Sequence, residues 1–162
     1  MIGAVRNVNR IAVLGLAVFA IAGCSGIKTY SSSLDKNMHV RTQIDSGSAT
    51  LATEAVFDIY RVDANCQAQF DGRVELEEAK TEVGIPTDGT IYLEFIFASK
   101  RFLSKNVSAV RYGMLFTPRA GYDYQTQVKY NKGIYSVVIR ETSRNGAVAH
   151  VIDHVPLSSC KS

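Results

Sequence analysis

Few residues of this chain have the types and spacing for chemistry. His150 and His154 flank Asp153 near the C-terminus. Imidazoles four apart are neighbours on a helix and can share a metal ion there. On a strand they stand about 13 Å apart and cannot. Val148, Val151, Ile152 and Val155 favour the strand, so a solvated histidine pair is expected, and His39 adds little. Ser33-Leu34-Asp35-Lys36 has the Ser-x-x-Lys spacing of penicillin-recognising enzymes. It lacks the companion Ser-Asp-Asn and Lys-Thr-Gly segments, so chance accounts for it. Glu75, Glu77 and Glu78 have the chemistry of acid/base groups but read as an exposed face. There is no Gly-x-Ser-x-Gly elbow, no phosphate-cradling glycine loop and no zinc-spaced cluster. The expectation is a protein that is not an enzyme, with no catalytic residue, no cofactor and no metal.

The N-terminus carries more information. Arg6 and Arg10 precede an apolar run from Ile11 to Ala22, 12 residues long. That run is too short to cross a hydrocarbon core of roughly 30 Å as a helix. Small residues then lead into a cysteine: Ile21-Ala22-Gly23-Cys24-Ser25. A charged start, a short apolar middle and a small-residue end make a secretory signal. The segment resembles the lipobox of bacterial lipoproteins, in which an aliphatic and two small residues precede a cysteine that is acylated and becomes the new N-terminus. The resemblance implies removal of residues 1–23 and a lipid anchor on Cys24. Two or more acyl chains give stable attachment. Ser25, where the enteric-type sorting rule has Asp for inner-membrane retention, resembles the outer-membrane case. The expected location is the periplasmic face of the outer membrane, with surface exposure an alternative.

With Cys24 acylated, Cys66 and Cys160 remain, and an exported protein meets an oxidising compartment. The expectation is a Cys66–Cys160 bridge, with two separate free thiols as the alternative. The bridge closes a loop of about 94 residues, for which the chain-entropy model gives roughly 4–5 kcal/mol. No Cys-x-x-Cys is present, which argues against a redox-active pair.

The mature chain has the length of one domain. Loss of Arg6 and Arg10 takes the formal charge from +3 to about +1, which argues against a general nucleic-acid binder. The charge is uneven. Asp71 to Glu94 holds seven acids and two bases, whereas Phe95 to Tyr122 holds Lys100, Arg101, Lys105, Arg111 and Arg119 and no acid. Either these are solvated strand faces that offset each other, or the five bases form a patch for lipopolysaccharide phosphates, anionic glycans or an acidic partner.

Residues 24–49 read as a serine-rich tether from the lipid, with a short strand available at Met38–Ile44, and residues 50–162 as the folded domain. Period-two alternation runs through Leu51–Val62, Thr90–Ser99, Val107–Thr117, Tyr124–Tyr130, Ile134–Thr142 and Ala147–Val155. Asn131-Lys132-Gly133 and Arg144-Asn145-Gly146 are turn signals between strands. Residues 67–83 fit strand and helix equally. The pattern predicts an all-β, antiparallel sandwich of about six to eight strands, of the immunoglobulin or transthyretin kind, with room for one short helix. Among Tyr92, Tyr112, Tyr122, Tyr124, Tyr130 and Tyr135, core and rim packing is expected, with an exposed binding stripe as the alternative.

Phe116-Thr117-Pro118-Arg119-Ala120-Gly121-Tyr122-Asp123-Tyr124 reads as a corner. Pro118 and Gly121 set a turn, and Tyr124 covers the sheet end while its hydroxyl finds a backbone partner. The corner is loosely similar to the tyrosine corner of sandwich domains. It also resembles a Phe-Thr-Pro-x-x-Gly-x-x-Tyr segment of small uncharacterised lipoproteins of Gram-negative bacteria, which look like β domains on a lipid tether. The resemblance implies no activity. The functional expectation is a non-enzymatic envelope module, binding or structural, whose partner is an envelope protein, glycan or lipid. The alternatives are a periplasmic inhibitor of a lysozyme-type hydrolase and a lipoprotein subunit of a secretion or envelope assembly machine.

Overall fold

The computed structural model describes residues 26–45, 51–101, 107–146 and 148–161. The expected signal peptide, Cys24 and Lys105 lie outside the described residues. Within them the chain forms nine strands: β1 (Met38–Asp45), β2 (Leu51–Val62), β3 (Ala68–Glu75), β4 (Lys80–Val83), β5 (Thr90–Arg101), β6 (Val107–Phe116), β7 (Tyr122–Asn131), β8 (Ile134–Ser143) and β9 (His150–Val151). One turn of 3-10 helix follows at Leu157–Ser159. The strands make two sheets, in the orders β4-β1-β7-β8-β9 and β3-β2-β5-β6. The architecture is the expected all-β sandwich, with one strand more than the expected range.

The alternation sorts the two faces of each strand. Ile91, Leu93, Phe95 and Phe97 of β5 and Tyr124, Thr126, Val128 and Tyr130 of β7 point inward and are buried. They meet Met38 and Val40 of β1 and Phe57 and Ile59 of β2 in one core. Phe57 stacks on Phe95 at 5.2 Å, and Phe97 meets Tyr135 across the two sheets at 4.9 Å. The β7–β8 hairpin closes through Lys132 and Gly133, at φ 48° and 89°. Two successive positive φ values are what a two-residue hairpin turn of the primed type needs.

Two expectations change and one open reading closes. Within residues 24–49, expected as a tether, Met38–Asp45 is β1, an interior strand of its sheet, paired antiparallel with β4 and parallel with β7. That parallel pair is the one departure from an antiparallel sandwich among the described strand pairs. The strand expected over Ala147–Val155 shrinks to His150–Val151. This segment has to leave β8 and cross to the other sheet: Ile152 N–H donates to Ile139 C=O at 2.9 Å, and Leu115 N–H of β6 donates to Val155 C=O at 2.7 Å. It ends in the Cys66–Cys160 disulfide, which joins positions 94 residues apart at a Cα–Cα distance of 5.7 Å. Residues 67–83 are strand, turn and strand. A bulge shifts the β2–β3 register between Ile59 and Tyr60, so Phe70 faces Tyr60 while Gly72 faces Ile59. Asp71 is the extra residue, and it breaks the period-two pattern.

One buried residue ties together the ends of β4, β1 and β7, neighbours in the five-stranded sheet. Asn37, just before β1, donates from Nδ2 to Ile85 C=O at 3.0 Å and accepts from Ile85 N–H at 2.8 Å through Oδ1. Its own carbonyl accepts from Tyr124 N–H at 2.7 Å. By contrast, Thr126 Oγ1 is buried on the core face and finds no hydrogen-bond partner. These two polar groups predict changes of opposite sign in urea unfolding. Asn37→Ala leaves both Ile85 groups unpaired and should cost about 2–4 kcal/mol, whereas Thr126→Val removes an unpaired hydroxyl and should gain up to about 1 kcal/mol. Equal effects at the two positions would contradict this assignment.

Candidate functional site

The Phe116–Tyr124 corner forms as its residues suggest, and its polar groups are already engaged. Gly121 takes φ 79°. Arg119 N–H donates to Tyr124 Oη at 2.6 Å, so the buried ring caps the core while its hydroxyl is satisfied. Phe116 packs on that ring at 5.5 Å. The Arg119 guanidinium grips the Glu141 carboxylate of β8 through Nε and Nη2 and lies 3.9 Å over the Tyr122 ring. The hydrogen bond to Glu141 holds this guanidinium more firmly protonated than usual. Beside the corner is a cleft of about 220 Å³ lined by Leu34, Asp35, Ile85, Thr87, Tyr122 and Arg144. Arg144 donates to Asp123 at 2.9 Å, and the cleft is smaller than ordinary ligand pockets of about 300–1,000 Å³.

Of the five bases between Phe95 and Tyr122, the described side chains are those of Arg111 and Arg119, and these two do not come together. Arg119 belongs to the corner, whereas Arg111 on β6 donates to Glu94 of β5 at 2.7 Å. Lys100 and Arg101 lie at the end of β5, opposite Ala52 and Leu51. Neighbouring strands carry opposite charges and pair across, so Arg111 and Arg119 are occupied by partners of this same chain. Glu75 and Glu77 line a hollow of about 440 Å³ at the other end of the sandwich, and Glu78 is exposed. His150 sits on β9, while the His154 ring packs against Tyr112 at 4.6 Å. Among the described residues no group of three His, Cys, Asp or Glu side chains could hold a metal ion, and no helix is long and apolar enough to cross a membrane.

The surface with the most organised chemistry is the outward face of the β3-β2-β5-β6 sheet. Register places Phe70, Tyr60, Tyr92 and Leu115 in one row across all four strands. The rings meet in sequence, Phe70 to Tyr60 at 5.4 Å and Tyr60 to Tyr92 at 5.8 Å, each tilted. All four side chains are half-buried. The next row runs Arg73, Asp58, Glu94, Gly113. Arg73 grips Asp58 through Nε at 2.7 Å and Nη2 at 2.8 Å, and this bidentate bond raises the guanidinium pKa further. Tyr92 lies diagonally over Gly113, where a Cβ would come within 1.8 Å of its hydroxyl oxygen. The ring thus covers a glycine on an edge strand. Desolvation pushes the Tyr60 and Tyr92 phenols up, and the nearby Glu94 carboxylate adds to both shifts.

This face offers rings for stacking beside paired, charge-balanced side chains. Of its row, the sequence singled out Tyr92 alone. Tyr60 and Phe70 were hidden because the Asp71 bulge disguises which residues of β3 share a face with β2. Comparison with protein-family models, with curated proteins and with solved structures finds no match to this chain.

Two measurements check this geometry. Gly113→Ala should destabilise the protein by about 1–3 kcal/mol, and the loss should largely vanish in a Tyr92→Ala background. Additive losses would place the ring elsewhere. In alkaline difference spectroscopy, Tyr30, Tyr60, Tyr92 and Tyr124 should ionise late, since burial raises each phenol. A phenol whose folded pKa exceeds its unfolded value of about 10 contributes stability that is whole below that pH and is lost as pH rises through the folded value. Simultaneous ionisation of all eight tyrosines near pH 10 in the folded protein would contradict it.

Proposed function

We propose that this protein is an exported lipoprotein, anchored through Cys24 to the periplasmic face of the outer membrane, that acts as a non-enzymatic binding or structural module of the envelope. The observation that carries the reading is the Cys66–Cys160 disulfide. A bridge of that kind persists in oxidising compartments. It uses two of the chain's three cysteines, and the third ends the N-terminal export signal. Folding, export signal and redox compartment therefore agree. The charge-balanced pairs Arg73–Asp58 and Arg111–Glu94, beside the Phe70-Tyr60-Tyr92-Leu115 row, suit a neutral partner surface better than a polyanion. Tyrosine and arginine are also the residues that most often anchor protein interfaces.

The test is photo-crosslinking in intact cells from a reactive residue at Leu115, with membrane fractionation of the same cells. The expected result is one discrete envelope adduct, lost with Tyr92→Ala and Tyr60→Ala, on a chain that fractionates with the outer membrane. A chain found in the cytosol, or an adduct pattern indifferent to both tyrosines, overturns the reading.

A further inference from the structure

We propose that the free edge of β6 pairs antiparallel with the same edge of a second copy of this chain, about a two-fold axis at Val110. The inference goes beyond the reading above and does not depend on the lipid anchor.

The ladder shows which groups are free. Leu115 N–H donates to Val155 C=O at 2.7 Å, away from β5. The N–H and C=O of one strand residue point to the same side, and alternate residues to opposite sides. β6 pairs with β5 without a register shift, so Val107, Ala109, Arg111 and Gly113 also face away from β5. Among the described residues these four have no backbone partner on that side. The C-terminal segment covers the edge at Leu115 and leaves Val107 to Gly113 open. Other edges are treated differently. β3 carries the Lys28–Tyr30 segment, through bonds to both backbone groups of Arg73. β4 is only 4 residues long and bears Lys80 and Glu82. The open stretch of β6 has no proline, no lysine and no bulge, the usual devices against strand addition. Its one charge, Arg111, is neutralised by Glu94 at 2.7 Å.

The occupant follows from the bounds. The open stretch starts where β6 starts, at Val107, and stops short of the occupied Leu115. Its midpoint is Val110. An antiparallel pair centred there sets Val107 opposite the second copy's Gly113, and Ala109 opposite the second copy's Arg111. Each such pair exchanges both N–H···O bonds, so every open group is used. The added strand ends where the C-terminal segment begins. Val110 meets the second copy's Val110 in a non-hydrogen-bonded pair, where side chains come closest. Its side chain shares a face with buried Phe97 and yet is 40% exposed. The two Arg111 side chains are not opposed, because each stands across from an alanine. The outer edge of β8 is uncovered at the same level, since Phe97 packs on Tyr135 and β9 reaches only Arg140 and Glu141. The contact uses one patch on both copies, as closed two-fold dimers do. It joins the two β3-β2-β5-β6 sheets into one and presents the Phe70-Tyr60-Tyr92-Leu115 row twice on the same face.

The full chain in mild detergent is tested by sedimentation over a concentration series and by oxidative crosslinking. Wild type should pass from dimer to monomer on dilution. Val110→Cys should form a covalent dimer, because a non-hydrogen-bonded pair has Cα atoms about 4.5 Å apart, within reach of a disulfide. Ser108→Cys stands opposite Tyr112, about 13–14 Å from its own copy, and should crosslink at least about tenfold less. Ala109→Pro removes an outward N–H, which an edge strand tolerates, and should leave a folded monomer. If that variant fails to fold, Val110→Lys, which sets two like charges on the axis, should give the monomer. A wild-type chain monomeric throughout, equal crosslinking at the two cysteines, or a dimer indifferent to Ala109→Pro and Val110→Lys overturns the proposal. A Val110→Cys adduct with a different chain in intact cells overturns the second copy as occupant.

Discussion

Three neighbouring segments of the five-stranded sheet are held together by the Asn37 side chain and backbone, and the side chain behaves as a piece of strand where the chain has none. Its amide exchanges two hydrogen bonds with Ile85, and its carbonyl takes a third from Tyr124. β1, the β4–β5 connection and the start of β7 therefore meet at one buried residue. Each backbone group there would otherwise be an orphan in an apolar end, at a cost of about 1–3 kcal/mol apiece. The parallel pairing of β1 with β7 follows, because both strands leave this point in the same direction. The Tyr124 corner closes the same end, with Arg119 supplying its backbone N–H to the phenol and its guanidinium to Glu141.

Charge is organised by the same economy. Each sheet sets acids against bases on neighbouring strands, and the Arg73–Asp58 pair is the most sheltered, with an aspartate almost wholly removed from solvent. A buried carboxylate is tolerable when a bidentate guanidinium satisfies it. The outward face of the four-stranded sheet consequently presents little net field, and its aromatic row is what distinguishes it. At the edges, Lys28–Tyr30 pairs with β3, and the C-terminal segment bridges β8 and β6 before the disulfide secures it. Both additions cover sheet edges that would otherwise invite pairing with another chain.

Much of the fold was legible because alternation is a direct record of burial. Leu51–Val62 and Ile134 onward read as strands since one face of each meets the core. The Cys66–Cys160 bridge was legible from arithmetic and compartment alone. Three features were not. β1 was available as a strand at Met38–Ile44, but its place inside the sheet was not legible, because its outward residues are as polar as a tether and only pairing with β4 and β7 makes it an interior strand. The C-terminal strand was overextended because valines that alternate need not pair; Val148 is almost fully exposed. The outward row was hidden by one extra residue, Asp71, which breaks the period by which Phe70 would have been matched to Tyr60. Local pattern fails where register is set by a non-local partner. The same holds for charge: the five bases between Phe95 and Tyr122 fitted solvated faces or a patch, and only the fold shows that Arg111 and Arg119 each have a carboxylate of their own.

The proposed function stands on a covalent event at the sulfur of Cys24, since the proposed location derives from it. The most direct measurement is incorporation of radiolabelled palmitate in growing cells. Label should appear on the wild-type chain and be absent from Cys24→Ala, which should also leave the membrane fraction. A wild-type chain that takes up no label would contradict the account.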